Sequence, residues 1–116
     1  MSTKKVVVLE IRECVLVKLE GRITSTNSHE VEAKLKAITD RNCYKIIIDM
    51  SGVEYISSAG LRVLINFHKV CRRWGRGAIH FLRPSPWVQD TLDLAGLTSP
   101  PFFKIFKEVA SAIGNF

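Results

Sequence analysis

Short β-branched runs alternating with segments of helical periodicity predict an α/β layered domain, its sheet covered mainly on one face by helices. The clearest such run is Tyr44-Lys-Ile-Ile-Ile-Asp49, of the kind that fills a buried strand. The clearest helical face follows it: Leu61, Leu64, Ile65, His68 and Cys71 recur at steps of three and four from a start near Ala59. A chain of 116 residues can bury one hydrophobic core and not two, so residues 1–116 are expected to form a single domain without a second catalytic module.

Residues 5–12 and 14–20 alternate or run apolar and part only at Glu13-Cys14, which predicts a hairpin or two closely coupled strands. Lys4-Lys5 ahead of Val6-Val-Val-Leu9 imitates a signal peptide. Glu10 and Arg12 break its apolar run, however, and no small-residue cleavage site follows, so the segment reads as a first strand. Asn27 followed by Glu30 resembles a helix-start box, and Val31, Leu35 and Ile38 supply a buried stripe that ends before Arg41-Asn42. The 44–49 strand then passes through a Ser-rich turn into the second helix, with Ser57 or Ser58 at its N-cap. A Gly75-Arg-Gly77 turn leads to a fourth strand, Ala78-Ile-His-Phe-Leu82. Ser85-Pro86 open a third helix, since proline suits the first helical position and serine its cap, and this helix closes at Gly96. Pro100-Pro101 forces extended backbone into a fifth strand, Phe102-Phe-Lys-Ile-Phe106, and residues 107–113 form a last short helix.

Composition excludes several function classes. At 47% hydrophobic and 24% charged, the chain is ordinary for a globular protein, and no apolar segment approaches the length of a membrane span. A soluble, cytoplasmic protein is expected. Cys14, Cys43 and Cys71 stand far apart, with no Cys-x-x-Cys pair and no histidine at finger spacing, which argues against a metal site. Their odd number suits buried structural cysteines in a reducing compartment; a redox role for Cys71, near Lys69, Arg72 and Arg73, is the alternative. The net charge of +6 draws on Lys69, Arg72, Arg73 and Arg76 at the end of the second helix, where the helix dipole favours cations without any ligand. An acidic partner surface ranks next. Nucleic acid ranks last, because no recognition helix, stacking platform or finger accompanies the charge.

Enzymatic motifs are missing too. There is no Gly-x-Ser-x-Gly elbow, and His68 lies about two and a half turns beyond Ser58, too far for direct contact along a straight helix. His29 and His80 carry no motif. No Gly-rich phosphate loop with a following Lys-Ser/Thr appears, so Gly75 and Gly77 read as turn residues. Neither catalysis nor a cofactor is expected.

Asp49, Ser51, Gly52, Tyr55, Ser58, Gly60 and Leu61 together resemble the signature of the STAS domain of anti-sigma factor antagonists, also called anti-anti-sigma factors. Gly21-Arg-Ile-Thr-Ser-Thr-Asn27 looks like that family's second-strand exit, and Leu92–Leu97 with Phe102–Phe106 like its last helix, turn and strand. The resemblance implies a four- to five-stranded mixed sheet with about four helices mainly on one face. It also implies a bacterial, non-enzymatic regulator of transcription that works by partner switching. Unmodified protein would bind an anti-sigma factor that is itself a serine kinase. Phosphorylation of Ser58, two residues before the Gly-Leu pair, would release it, and a cognate serine phosphatase would restore it. Many members carry Asp where Ser57 stands, so Ser57 is the alternative target, and Thr24 occupies a place that is often acidic. The implied partner surface comprises Arg22, Ile23, Thr24 and Ser25 together with Ser57, Ala59, Gly60, Leu61 and Arg62. No nucleic acid or membrane insertion is implied, and edge pairing through residues 6–11 allows a monomer or a weak dimer. The alternative is a stand-alone STAS interaction subunit of a transporter, secretion or signalling complex without sigma factor control.

Overall fold

A computed structural model describes residues 5–11, 13–74 and 77–116. Along it run β1 (Lys5–Ile11), β2 (Cys14–Ile23), α1 (Ser28–Asp40), β3 (Lys45–Ile56), α2 (Ser58–Trp74), β4 (Ala78–Leu82), α3 (Pro86–Leu94), β5 (Lys104–Phe106) and α4 (Val109–Gly114). The strands lie in chain order in one five-stranded sheet. β1 is antiparallel to β2, and every later pair is parallel. A tight connection suffices for the first pair, whereas each parallel pair needs a crossover, which α1, α2 and α3 supply in turn. The predicted α/β class and mixed sheet are therefore the observed ones.

Strand alternation divides the apolar residues between two unequal layers. Val15, Val17 and Leu19 of β2, Ile46, Ile48 and Met50 of β3, and Ile79 and Phe81 of β4 face the main core with the buried stripes of α1, α2 and α3. Their neighbours of opposite parity, Cys14, Ile47 and Leu82, face a smaller cluster closed by Ala112 of α4. Helices thus cover mainly one face. Among the described residues no helix is long and apolar enough to cross a membrane.

Several expected boundaries are corrected. β2 continues to Ile23 and β3 to Ile56, so Ser51 and Gly52 belong to a strand and not to a Ser-rich turn. The inward residues Met50, Val53 and Ile56 are three apart, whereas their β2 counterparts Leu19, Gly21 and Ile23 are two apart. Pairing shifts between Lys18 and Glu20 and again between Gly21 and Arg22 absorb the extra residues as bulges, which hides the strand from any period-two reading. β5 holds only Lys104–Phe106. Phe103 precedes it and is buried instead, stacked on Phe81 with ring centroids 4.3 Å apart. Asn27 does occupy the N-cap of α1, but its side chain makes no capping bond there.

Residues 4, 12, 75 and 76 of the predicted first strand, turn and cationic cluster lie outside the described residues. Gly77 is described, and its surroundings explain it: a Cβ there would stand 1.9 Å from the Tyr44 carbonyl oxygen. Its own N–H donates to the Cys71 carbonyl (3.0 Å), closing α2, and Ala78 N–H donates to Tyr44 O (3.0 Å), opening β4. Cys71 itself is fully buried, and burial pushes its thiol up to about 12, which removes the thiolate that the redox alternative requires.

Candidate functional site

The sheet brings the two predicted surface segments together at the carboxyl ends of β2 and β3. Ile23 pairs with Ile56, and Ser57 N–H donates to the Ile23 carbonyl (2.8 Å), so the exits of both strands are sewn side by side. α2 starts at once. The Ser57 hydroxyl accepts a hydrogen bond from Gly60 N–H (3.2 Å), and the Ser57 carbonyl accepts from Leu61 N–H (2.9 Å), which makes Ser57 the N-cap. Ser58 is the first helical residue; it is exposed, and its hydroxyl makes no hydrogen bond among the described residues. The two serines that sequence alone leaves equivalent are therefore distinct: one hydroxyl is spent on the helix and the other points to solvent.

Gly60 allows this close seating. A Cβ at that position would lie 2.8 Å from Ile23 Cγ2 and 3.1 Å from Ile56 Cγ1, both on buried side chains. Ile23 and Gly60 are themselves buried, so they shape the surface from beneath instead of forming it. The exposed or half-exposed remainder is Arg22, Thr24, Ser25, Ser57, Ser58, Ala59, Leu61 and Arg62. Arg62 follows Ser58 by four residues and so shares its side of the helix. The Arg22 guanidinium lies over the Tyr55 ring, 4.5 Å from its centroid.

Two residues singled out in the sequence, Asn27 and Asp49, support this surface in ways that sequence alone does not give them. Asn27 is buried; its side-chain carbonyl accepts from Thr24 N–H (2.8 Å) and its amide donates to Arg22 O (2.8 Å), clamping the Arg22–Ser25 segment from inside. Helix-start patterning draws attention to Asn27 but misreads which backbone it serves. Asp49 is the other support. Its buried carboxylate accepts from Ser51 N–H (3.0 Å) across the first bulge and faces Arg83 at 3.8 Å. The Asp-x-Ser-Gly part of the signature thus shapes the strand that delivers Ser57 and Ser58, one step removed from the surface.

α2 carries no acidic residue in its first turn, so no carboxylate of that turn offsets the positive end of its dipole beside Ser58. An anion placed there meets free backbone N–H groups. His68 lies elsewhere. It is buried in α2, where Nε2–H donates to Pro101 O (2.9 Å) and Nδ1 accepts from Ile79 N–H (3.1 Å). Both nitrogens are thereby occupied.

Comparison with known proteins agrees with this geometry. The chain matches the STAS domain over residues 5–112. It belongs to the STAS domain family. It is 32% identical over 81 residues to BtrV of Bordetella bronchiseptica, assigned as an anti-sigma factor antagonist, covering 70% of this chain and 69% of that protein. An anti-sigma factor antagonist from Mycobacterium paratuberculosis has a similar structure, with a TM-score of 0.82 at 19% identity over 95% of this chain and 91% of that one. The phosphorylated form of the Bacillus cell fate determinant SpoIIAA shares the fold, with a TM-score of 0.70 at 19% identity over 95% and 97% of the two chains. Within the STAS family the chain therefore stands with the anti-sigma factor antagonists, which are regulators and not enzymes.

Proposed function

We propose that the protein is a partner-switching anti-sigma factor antagonist. It binds an anti-sigma factor serine kinase through the surface formed by Arg22–Ser25 and Ser57–Arg62, and it is released when Ser58 is phosphorylated. The observation that carries this reading is the contrast between the two serines: Ser57 is committed to the helix cap, whereas the Ser58 hydroxyl is exposed and unbonded. A kinase needs a hydroxyl it can reach, and Ser58 offers one without unwinding the helix. That the fold neighbour SpoIIAA exists in a phosphorylated form supports the same chemistry here. A cognate serine phosphatase would reset the switch.

The energetics favour an effect on the complex over an effect on the fold. A phosphate adds about −1.5 to −2 charges, which the N-terminal end of α2 accommodates. Driving a complex from about 99:1 to 1:99 takes about 5.5 kcal/mol of differential binding. Like-charge apposition across an interface costs several kcal/mol, and steric exclusion from a packed contact adds to it. One phosphate on this surface is sufficient.

The test is incubation with ATP and the candidate kinase, followed by site-mapped mass spectrometry and binding measurements. A single phosphate on Ser58, absent from Ser58→Ala, is expected. Ser58→Asp should weaken kinase binding by at least about 100-fold, about 2.7 kcal/mol, while Ser58→Ala still binds. Equal affinity for wild type, Ser58→Ala and Ser58→Asp would overturn the switch.

A further inference from the structure

The end of α2 remote from Ser58 borders a cleft that the switch does not use. A cavity of about 310 Å³ opens at the amino ends of β4 and β5, walled by Arg72, His80, Phe102, Lys104, Asn115 and Phe116. With about 1.5 Å of rise per helical residue, Arg72 lies about 20 Å along α2 from Ser58. The volume is within the range of small-molecule sites, about 300–1,000 Å³.

Charge and hydrogen bonding in the cleft are both one-sided. No aspartate or glutamate among the described residues lines it, nor the adjoining groove where Lys69 and Arg73 flank Arg72. Lys104 and Arg72 are exposed and take part in no ion pair among the described residues; Arg72 makes one hydrogen bond, to Pro101 O at 3.3 Å. His80, 2% exposed, donates from Nδ1–H to Ala112 O at 2.9 Å. Its Nε2 is left as an acceptor with no hydrogen-bond partner among the described residues. Burial lowers the His80 pKa, with a further push from Lys104, so that nitrogen keeps its lone pair at neutral pH. The His80 ring is stacked flat on Phe116, centroids 4.0 Å apart and planes 6° apart, which gives the cleft a planar aromatic wall. An unsatisfied buried acceptor beside two unpaired cations and a flat apolar wall calls for a ligand with the complementary groups.

We propose that this cleft binds a small aromatic anion bearing a hydroxyl or N–H donor. Arg72 and Lys104 hold the anionic head, Phe102 and Phe116 pack against the ring, and His80 Nε2 accepts the ligand's hydrogen bond. The site is separate from the phosphorylation reading and stands whether or not Ser58 is modified.

The test is an amide NMR titration of the full chain with 3- and 4-hydroxybenzoate as probes. Benzoate, 4-hydroxybenzyl alcohol and inorganic phosphate serve as comparisons. Saturable shifts are expected at Gly77, Ala78, Lys104 and Asn115, with Ser58 and Leu61 unmoved. Arg72→Gln and Lys104→Gln, both exposed positions, should each weaken hydroxybenzoate binding about tenfold, which is 1.4 kcal/mol. His80→Phe should bring hydroxybenzoate down to the affinity of benzoate. Should that variant fail to fold, the two exposed variants decide the question. The proposal is overturned if the neutral alcohol or inorganic phosphate binds as tightly as the hydroxybenzoates. It is equally overturned if none of the probes shifts the cleft resonances at millimolar concentration.

Discussion

The two ends of α2 are each seated by a glycine, but against different material. At the start, Gly60 abuts the Ile23 and Ile56 side chains at 2.8 and 3.1 Å from where a Cβ would stand; just past the end, Gly77 abuts the Tyr44 backbone carbonyl at 1.9 Å. Side chains can yield by a few tenths of an ångström, whereas a carbonyl bonded into the start of β4 cannot. Charge follows the same division. The last turn carries Arg72 and Arg73, which complement the helix dipole, while the first turn has no acidic residue. The carboxyl end is therefore locked, and its cations suit the helix dipole. The amino end is left able to accept an added anion, as the proposed switch requires.

The contrast is broken most directly by placing alanine at both glycines. Gly77→Ala should destabilise the fold by about 3 kcal/mol, because either Tyr44 or the exit of α2 must move. Gly60→Ala should cost about 1–2 kcal/mol, since two isoleucine side chains can adjust. Urea denaturation midpoints check both. Equal losses would mean that the two ends are equally rigid and that the difference in seating has no mechanical consequence.

Sequence alone reveals the sheet and helices wherever a single period runs unbroken, as in Ile46–Ile48 or the Leu64, His68, Cys71 stripe. It fails where the period changes inside one element. The second half of β3 keeps its inward residues three apart because two bulges intervene, so it reads as a turn. The convergence of Arg22–Ser25 and Ser57–Arg62, the surface proposed to meet a partner, was legible through the signature. What each residue does there was not. Which serine caps α2 depends on where β3 ends. The clamp formed by Asn27 depends on a loop that folds back over its own side chain. Both are properties of three-dimensional closure and leave no mark in spacing.

Acidity should sharpen the same comparison, since both buried histidines serve the half of the molecule around the end of α2. Burial lowers the His68 and His80 pKa values, so each is neutral in the folded chain and takes up a proton more readily once unfolded. The unfolded chain then binds more protons. Their contribution to stability is full above the unfolded value of about 6.5 and is lost as pH falls from there through the folded values. The slope is at most about 1.4 kcal/mol per pH unit for each proton. Denaturation midpoints at pH 7.5, 6.5 and 5.5 should decline in that order below pH 6.5, and His68→Phe should flatten part of the decline. A profile unchanged by that substitution would assign the acid sensitivity to other groups.

The smallest effect separates the two serines at the open end. Ser57→Ala removes the oxygen that accepts from Gly60 N–H, and loss of such an N-cap costs about 1 kcal/mol. Ser58→Ala removes an exposed hydroxyl without a partner among the described residues, at a surface position where substitutions stay within about 0.5 kcal/mol. Paired urea titrations of the two variants resolve a difference of that size. If Ser58→Ala proves the more damaging, Ser58 is the residue holding the helix start, and the division between a capping serine and a free one is reversed. If Ser57→Ala is the more damaging, the helix start does not depend on the Ser58 hydroxyl. If Ser58→Asp also keeps the wild-type urea midpoint, any loss of partner binding in it is an effect on the interface and not on the domain that presents it.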